Sequence, residues 1–355
     1  MSLEFFWQLP VSGDARYGDA AKTLRGERRN LSRPPFTPGV TDPRGDTFNY
    51  LDYLHQIARA ADLVGFDGLR IPHDPEGDES WIIAGYVARS TRHLTLLAEF
   101  EASRGSSVYA AKNAVSYQRY TGGRFAWEVS AGPAAGQRRQ NGDFAADSDI
   151  TPRIDEFLTV ARGVLTTAPF TFKGRFFEVL DGGFKGPLGN RPVPRVYLSG
   201  HSEEALQLSA RQADVHVLAA APLETLQPAI ATLNRLAADA GRQLAIGLRI
   251  DLLVRETTEE AREDASRYLT QTGRGSEAAP DALLWTGLTT GLTGAAATLV
   301  GSYDDVAAAL AAYAAAGITS FQLSAVPHFE EAYRVGEHLL PRLRALISGA
   351  SQRAA

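Results

Sequence analysis

Residues 51–72 read LDYLHQIARAADLVGFDGLRIP, and the handover inside them decides the fold. Apolar side chains recur at Leu51, Leu54, Ile57, Ala58 and Ala61, the spacing of one helical face, so Leu51–Val64 is predicted as a helix. Gly65 follows, where helix C-termini favour glycine. Gly68–Pro72 is then a short apolar run of strand length. A helix passing so quickly into a buried strand is the repeating unit of a parallel α/β sheet. The same alternation continues in both directions. Strands are expected at Leu3–Leu9, Leu94–Phe100, Phe125–Ser130, Val196–Ser199, Val215–Ala219, Ala245–Val254 and Ser320–Ser324. Helices are expected at Trp81–Ser90, Ala110–Thr121, Arg153–Leu165, Ser202–Ala210, Leu223–Ala240, Thr258–Leu269, Tyr303–Ala316 and Glu330–Leu346. Eight strands alternating with helices point to an α/β fold, a (β/α)8 TIM barrel with insertions, over a single domain of residues 1–355. An open doubly wound sheet would favour a Gly-x-Gly-x-x-Gly turn after the first strand, and the sequence has none there.

Three connections exceed simple links: 11–47, 166–194 and 271–300. The first is rich in Gly, Pro, Asp and Arg and the last carries Gly, Thr and Ala with Trp285 inside, and loops of that length are functional lids or disordered segments. Residues 166–194 carry FTF, Gly174, FFEV and Gly182-Gly183, which reads as a small β-excursion.

The bulk properties exclude several classes. The chain has 355 residues, 44% hydrophobic and 22% charged, the balance of a folded enzyme rather than a disordered chain. It has no cysteine, which removes disulfides, thiolate metal ligands and cysteine nucleophiles. A net charge of −5 without a basic run offers no footprint for nucleic acid. No basic segment precedes the apolar N-terminal stretch and no apolar run reaches membrane-spanning length, so a cytoplasmic protein is expected.

Several stretches, in order along the chain, resemble the bacterial-luciferase-like flavin-dependent monooxygenases, and most of all their alkanesulfonate monooxygenase branch. They are FWQLP at Phe6–Pro10 with Gly13-Asp14, the Ala58–Pro72 run, GRF at Gly123–Phe125, RIDEF at Arg153–Phe157, YLSGHS at Tyr197–Ser202, Gly247–Thr257, and PHFEEAYRVGE at Pro327–Glu337. The resemblance implies reduced FMN as cofactor, O2 as co-substrate, a separate NAD(P)H-dependent flavin reductase, and a homodimer or homotetramer acting on a small molecule.

On that resemblance the Ser199, Gly200, His201 and Ser202 turn is where the FMN phosphate sits. Its backbone N–H groups and a helix N-terminus suit an anion, although Ser202 also reads as an ordinary N-cap. Arg153 either contacts the phosphate or pairs with Asp155 or Glu156. The flavin ring is expected across the tips of the third and fourth strands, near Glu99, Glu101, Glu128 and Ser130, unless Glu99 and Glu101 face helices or water. Carboxylates disfavour a negatively charged reduced ring, so they are expected to point away or be neutralised, by Arg70 or Arg104 for instance.

Arg249 lies where the branch places an Arg beside the sulfonate, or else it pairs with Asp251 or another inner acid. The departures are many. Asp251 replaces a His, Gly77 a Cys, Val326 a Tyr, Ser12 a His and Ala219 a Trp, and Leu292 or Thr293 stand near a second sulfonate Arg. The replacements His73, Asp74, Glu76, Asp251, His201 and His216 suit a polyhydroxylated or basic substrate, with His73 as candidate general base. No metal is expected, because His73, Asp74 and Glu76 lack ligand spacing. The expected activity is oxygenation of a small polar molecule, a sugar sulfonate or alkanesulfonate with C–S cleavage. A deazaflavin-dependent hydride-transfer enzyme and a non-catalytic flavin-binding protein are the two alternatives.

Overall fold

The computed structural model describes residues 3–11, 13–14, 50–75, 77–103, 105–271, 282–286, 288 and 293–354. Along the chain run β1 (Glu4–Gln8), α1 (Tyr50–Leu63), β2 (Gly68–Ile71), α2 (Ser80–Ala88), β3 (Thr95–Glu101), α3 (Ser107–Thr121), β4 (Phe125–Ser130), α4 (Ala135–Gln140) and α5 (Asp147–Thr166). Next come β5 (Phe170–Lys173), β6 (Glu178–Gly182), β7 (Arg195–Ser199), α6 (Glu203–Gln212), β8 (Val215–Ala219), α7 (Leu223–Asp239), β9 (Ala245–Arg255) and α8 (Thr258–Gln271). The chain finishes with β10 (Leu284–Thr286), β11 (Ala297–Ser302), α9 (Tyr303–Ala315), β12 (Ile318–Ser324), α10 (His328–Arg334), a π turn (Val335–Leu339) and α11 (Leu340–Ala354). The fold class is a closed α/β barrel of eight parallel strands, β1, β2, β3, β4, β7, β8, β9 and β12, with helices between them.

Two compact units are distinguished: Met1–Leu94 with Leu218–Pro228 and Ile246–Ala355, and Thr95–Val217 with Ala229–Ala245. In the first unit β1 pairs in parallel with β12 and β2. β9 is long enough to serve two partners. Its Ile246–Asp251 half pairs with β12, and its Asp251–Arg255 end pairs with β11. Phe5 stacks on Phe321 with ring centroids 5.6 Å apart, and Arg344 of α11 lies over Phe5. These residues therefore face the helices, and strand alternation turns Gln8, Gln322, Ser324, Arg249 and Asp251 inward.

In the second unit β3 pairs with β4, β4 with β7 and β7 with β8. Phe100 and Trp127 pack on each other and on Phe157 of α5, at centroid distances of 5.6, 5.9 and 6.3 Å. Burying such rings contributes about 2–3 kcal/mol each. Because Phe100 and Trp127 point at the helix, Glu99, Glu101, Glu128 and Ser130 point to the inner face.

The eight expected barrel strands are all present. The insertion at 166–194 is the expected excursion, β5 antiparallel to β6. Expected α5 begins too late at Arg153. The helix starts at Asp147, with acids Asp147 and Asp149 in its first turn, and Pro152 sits inside it. Acidic residues favour a helix N-terminus, and a Pro still near that end breaks little of the hydrogen-bond ladder. The stretch 271–300 is not one loop. Trp285 of β10 packs with Leu253, Tyr268 and Val300 in an apolar cluster, and β10 and β11 extend the sheet. The Gly, Thr and Ala around these short strands dilute their apolar pattern. Most of 11–47 and the remainder of 271–300 lie outside the described residues, as do Ser12, Glu76, Arg104 and Leu292. Among the described residues, no helix is long and apolar enough to cross a membrane.

Candidate active site

The inner face of the first unit is polar in a stack of apolar strands. Arg70 Nη1 donates to Gln8 Oε1 over 2.6 Å, and Gln8 Nε2 donates to the Thr293 carbonyl over 2.9 Å. The Thr293 hydroxyl donates to Asp251. All four side chains are buried. Such groups persist inside a core only when hydrogen-bonded, because burying a lone charge is prohibitive. The chain thus links a guanidinium on β2 to a carboxylate on β9 through two neutral residues.

Arg249 donates through Nε to Gln322 Oε1 over 2.9 Å. Gln322 is its register partner on β12. Two residues along the same strand, Asp251 accepts from the Thr293 hydroxyl. Fixing Nε fixes the plane of the guanidinium, the property that lets Arg meet two oxygens of one anion.

Behind these, His328 joins Asp14 and Ser324. Its Nδ1 lies 2.9 Å from Asp14 Oδ1, its Nε2 lies 3.1 Å from Ser324 Oγ, and its backbone N–H donates to Asp14 Oδ2 over 2.7 Å. Tyr53 donates its hydroxyl to the same Asp14 oxygen over 2.6 Å, and the indole of Trp7 donates to the His328 carbonyl over 3.1 Å. This cluster ties β1, α1 and α10 together at the end of β12. The sequence motifs contain Gln8, Asp14 and His328 and the last strand ends at Ser324, but the sequence assigns no role in a site to Gln8, Ser324 or Gln322. A single polar residue at an inward position of an apolar strand, as in FFWQL or FQLS, was the available signal.

His73 and Asp74 lie half-buried in the turn after β2. The Gly77 N–H closes that turn on the Asp74 carbonyl at 2.8 Å, and a Cβ at Gly77 would stand 2.8 Å from Asp74 Cβ. A side chain at Gly77 would force Asp74 to shift in the turn as it is folded.

In the second unit Glu101 and Glu128 are buried, and Glu99 stands in register with Glu128. Alternation with Phe100, which packs on Phe157, turns Glu99 and Glu101 away from the helices. Glu101 accepts from Ser103 Oγ at 3.0 Å, and Ser130 Oγ donates to the Phe100 carbonyl at 3.4 Å.

Arg153 also differs from expectation. Its two terminal nitrogens bond both oxygens of Asp143, at 2.9 and 2.7 Å, and not Asp155 or Glu156. The Arg153 bonds hold the Asp143 carboxyl down at about 2. Asp155 instead accepts from Arg211 and Gln212, and Glu156 accepts backbone N–H groups of the β5–β6 turn. A bidentate pair of this kind consumes the fork that a phosphate would need.

Ser199, Gly200, His201 and Ser202 form an exposed turn from β7 into α6. Ser202 is the N-cap, its side chain accepting from the Ala205 N–H at 3.2 Å. Gly200 has φ +132°, a conformation that L side chains rarely adopt, and a Cβ there would stand 2.7 Å from Ala205 Cβ. The backbone is bare at the helix end, with the acids Glu203 and Glu204 behind it. His216 is not part of an inner wall. It is fully buried behind the turn, with Nδ1 2.7 Å from Ser209 Oγ of α6.

Among the described residues no group of three His, Asp or Glu could hold a metal ion.

Comparison with known proteins bears on the fold and the family of the chain. The structure resembles EDTA monooxygenase (EmoA) from Chelativorans sp. BNC1 at a TM-score of 0.72 and 14% identity, covering 97% of this chain and 94% of that one. It resembles the oxygenating constituent of 3,6-diketocamphane monooxygenase from Pseudomonas putida, a Type II Baeyer-Villiger monooxygenase solved with FMN, at 0.68 and 16%, covering 97% and 99%. It also resembles an F420-dependent secondary alcohol dehydrogenase, at 0.67 and 16%, covering 97% and 99%. At such identities the likeness shows the fold, and its spread does not single out the alkanesulfonate branch. Residues 34–320, most of the chain, match the Luciferase-like monooxygenase family, and the chain belongs to it.

Proposed function

We propose that this protein is a two-component flavin-dependent monooxygenase, which receives reduced FMN from a separate NAD(P)H-dependent reductase and oxygenates a small anionic substrate with O2. The observation that carries the substrate class is the Arg249–Gln322 pair on the inner face of β9 and β12. An Arg oriented through Nε suits a sulfonate or carboxylate, and an organosulfonate is the favoured class. Asp251, held by Thr293, adds an acceptor for substrate hydroxyls, which favours a sugar sulfonate over a plain alkanesulfonate.

Reduced FMN, when bound, supplies the electrons that activate O2. The residues present fit its phosphate at the Ser199–Ser202 turn, where a side chain on Gly200 would collide with Ala205. Backbone N–H groups and the α6 N-terminus provide the positive end there, since Arg153 is engaged with Asp143. Glu99, Glu101, Glu128 and Ser130 are assigned to the ring. The three acids accept hydrogen bonds and oppose negative charge, so they select the orientation of the ring rather than stabilise its reduced form. His73 remains the proposed general base.

The test is anaerobic titration with photoreduced FMN, followed by mixing with air in the presence of sulfonates and, separately, carboxylates. Saturable binding with sulfite release from a sulfonate is expected. Oxygen uptake with no product from any substrate would favour a flavin-binding protein without catalysis. Absence of reduced-FMN binding would overturn the reading in favour of a deazaflavin coenzyme.

A further inference from the structure

Asp14, His328 and Ser324 form a hydrogen-bonded row of side chains in the first unit that the proposed chemistry leaves unused. All three are buried. Ser324 ends β12 on its inner face, at the end of the strands where barrel enzymes hold their reacting groups. His328 opens α10 four residues later, and Asp14 follows β1.

The partners locate the protons. Asp14 Oδ2 accepts from the His328 backbone N–H at 2.7 Å and from the Tyr53 hydroxyl at 2.6 Å, and Asp14 Oδ1 lies 2.9 Å from Nδ1. A carboxylate accepts and has no proton to give, so the ring proton is on Nδ1. The neutral ring then has its lone pair on Nε2. Ser324 Oγ lies 3.1 Å from Nε2 and donates its hydroxyl proton to that lone pair. The hydroxyl makes no other hydrogen bond among the described residues, so its oxygen lone pairs remain for a group inside the barrel. Carboxylate, imidazole and hydroxyl in this order let a serine oxygen take up a proton. The serine passes its own proton to the ring, and the carboxylate stabilises the imidazolium that forms.

The row stands beside the proposed anion site. Ser324 is in register with Asp251, and Gln322, two residues back on the same face, holds Arg249. Successive inward residues of a strand are about 7 Å apart. A sulfonate seated on the Arg249 guanidinium therefore directs a hydroxyl on its first carbon towards Ser324. Ser324 is 2% exposed, so a proton taken there moves out of reach of bulk water.

We propose that Ser324, His328 and Asp14 form a proton relay, in which Ser324 Oγ takes the hydroxyl proton of an α-hydroxysulfonate held at Arg249 while its own proton passes to His328 Nε2. The O–H electron pair becomes the second bond of the carbonyl, the C–S bond breaks with its pair on sulfur, and an aldehyde and sulfite leave. No oxidant is consumed in this step. Oxygenation of the carbon next to sulfur in the proposed reaction supplies the α-hydroxysulfonate. The inference rests on the reading of Arg249 as a sulfonate site. Ser324 is the catalytic residue of the step, and His328 and Asp14 act through it.

The test mixes the full-length protein, without flavin or O2, with the bisulfite adduct of glycolaldehyde. Sulfite is followed with an aromatic disulfide reagent, to which a chain without cysteine is silent. Wild type is expected to release sulfite saturably, and Ser324→Ala to lower kcat about a hundredfold with KM little changed, the size of an acid–base contribution. Ser324→Thr, which keeps a hydroxyl, should recover most of the rate. Asp14→Asn, whose amide N–H faces Nδ1 and drives the ring proton to Nε2, should match Ser324→Ala. Full rate in Ser324→Ala or Asp14→Asn would overturn the relay. Calorimetry with ethanesulfonate separates the relay from the reading it rests on. Binding of ethanesulfonate without accelerated breakdown of the adduct would overturn the relay alone. No binding of either sulfonate would remove the anion site and the relay with it. A measurement on unaltered protein covers variants that do not fold: the wild-type rate at saturation should be lower in D2O, and equal rates in H2O and D2O would refute the proposal.

Discussion

Thr293 gives its hydroxyl proton to Asp251 and its carbonyl to Gln8. One residue of the segment before β11 is thus bonded to both β9 and β1. The side chain satisfies a buried carboxylate and the backbone fixes the register of the segment entering the strand. Thr293→Val removes the hydroxyl at nearly constant volume. We expect a loss of about 1–3 kcal/mol, the cost of withdrawing one donor from a buried acceptor, read as a lower denaturant midpoint at unchanged slope. An unchanged midpoint would show that Asp251 does not depend on this bond.

Arg249 and Gln322 test the substrate reading. Arg249→Lys keeps the charge and removes the planar fork, so kcat/KM for an anionic substrate should fall about tenfold to a hundredfold, with most of the loss in KM. Gln322→Leu, which frees the guanidinium plane, should give a smaller loss in the same direction. Steady-state kinetics with a sulfonate would decide. An unchanged KM in Arg249→Lys would move the anion elsewhere.

Arg153 and Asp143 form a structural pair in this fold, so Arg153→Ala should destabilise the protein and leave FMN affinity unaltered. The sign of the pH effect follows from Asp143, whose carboxyl is held at about 2 by the Arg153 bonds. Its contribution is complete above the ordinary carboxylate value and is lost as pH falls towards 2. Arg153→Ala should therefore unfold less steeply with acid between about pH 4 and 2 than wild type does. Weakened FMN binding in the variant would return Arg153 to the phosphate.

Burial lowers the His216 pKa from 6.5 to about 4. The unfolded chain then binds more protons than the folded one between these values, so stability is full above pH 6.5 and declines as pH falls. The decline should reach about 3 kcal/mol by pH 4. His216→Gln carries no titrating ring and should remove that part of the slope in pH-dependent unfolding.

Gly77 closes its turn on Asp74 with no space for a Cβ. Gly77→Cys, the residue of the alkanesulfonate branch, should cost about 1–3 kcal/mol through overpacking. Retained stability on thermal unfolding would show that the turn opens readily.

The sequence by itself determined the barrel. The short apolar runs of the strands and the 3.6-residue spacing of the helices are local patterns, and each strand is readable because it must bury apolar side chains. The β5–β6 excursion was legible for the same reason. The sequence also located the Ser199–Ser202 turn and the Arg249–Asp251 strand. It missed β10 and β11, which are short and flanked by small residues, and it placed the start of α5 at Arg153, after Pro152, where the helix begins at Asp147. Only the tertiary structure decided the partners. Arg153 bonds Asp143, ten residues earlier, rather than the acids beside it. Arg249 bonds Gln322 across 73 positions, and His328 bonds Asp14 across 314. A charged side chain takes the partner with the best geometry once the backbone is folded, and that geometry is set by strand register and helix packing, which no local pattern encodes.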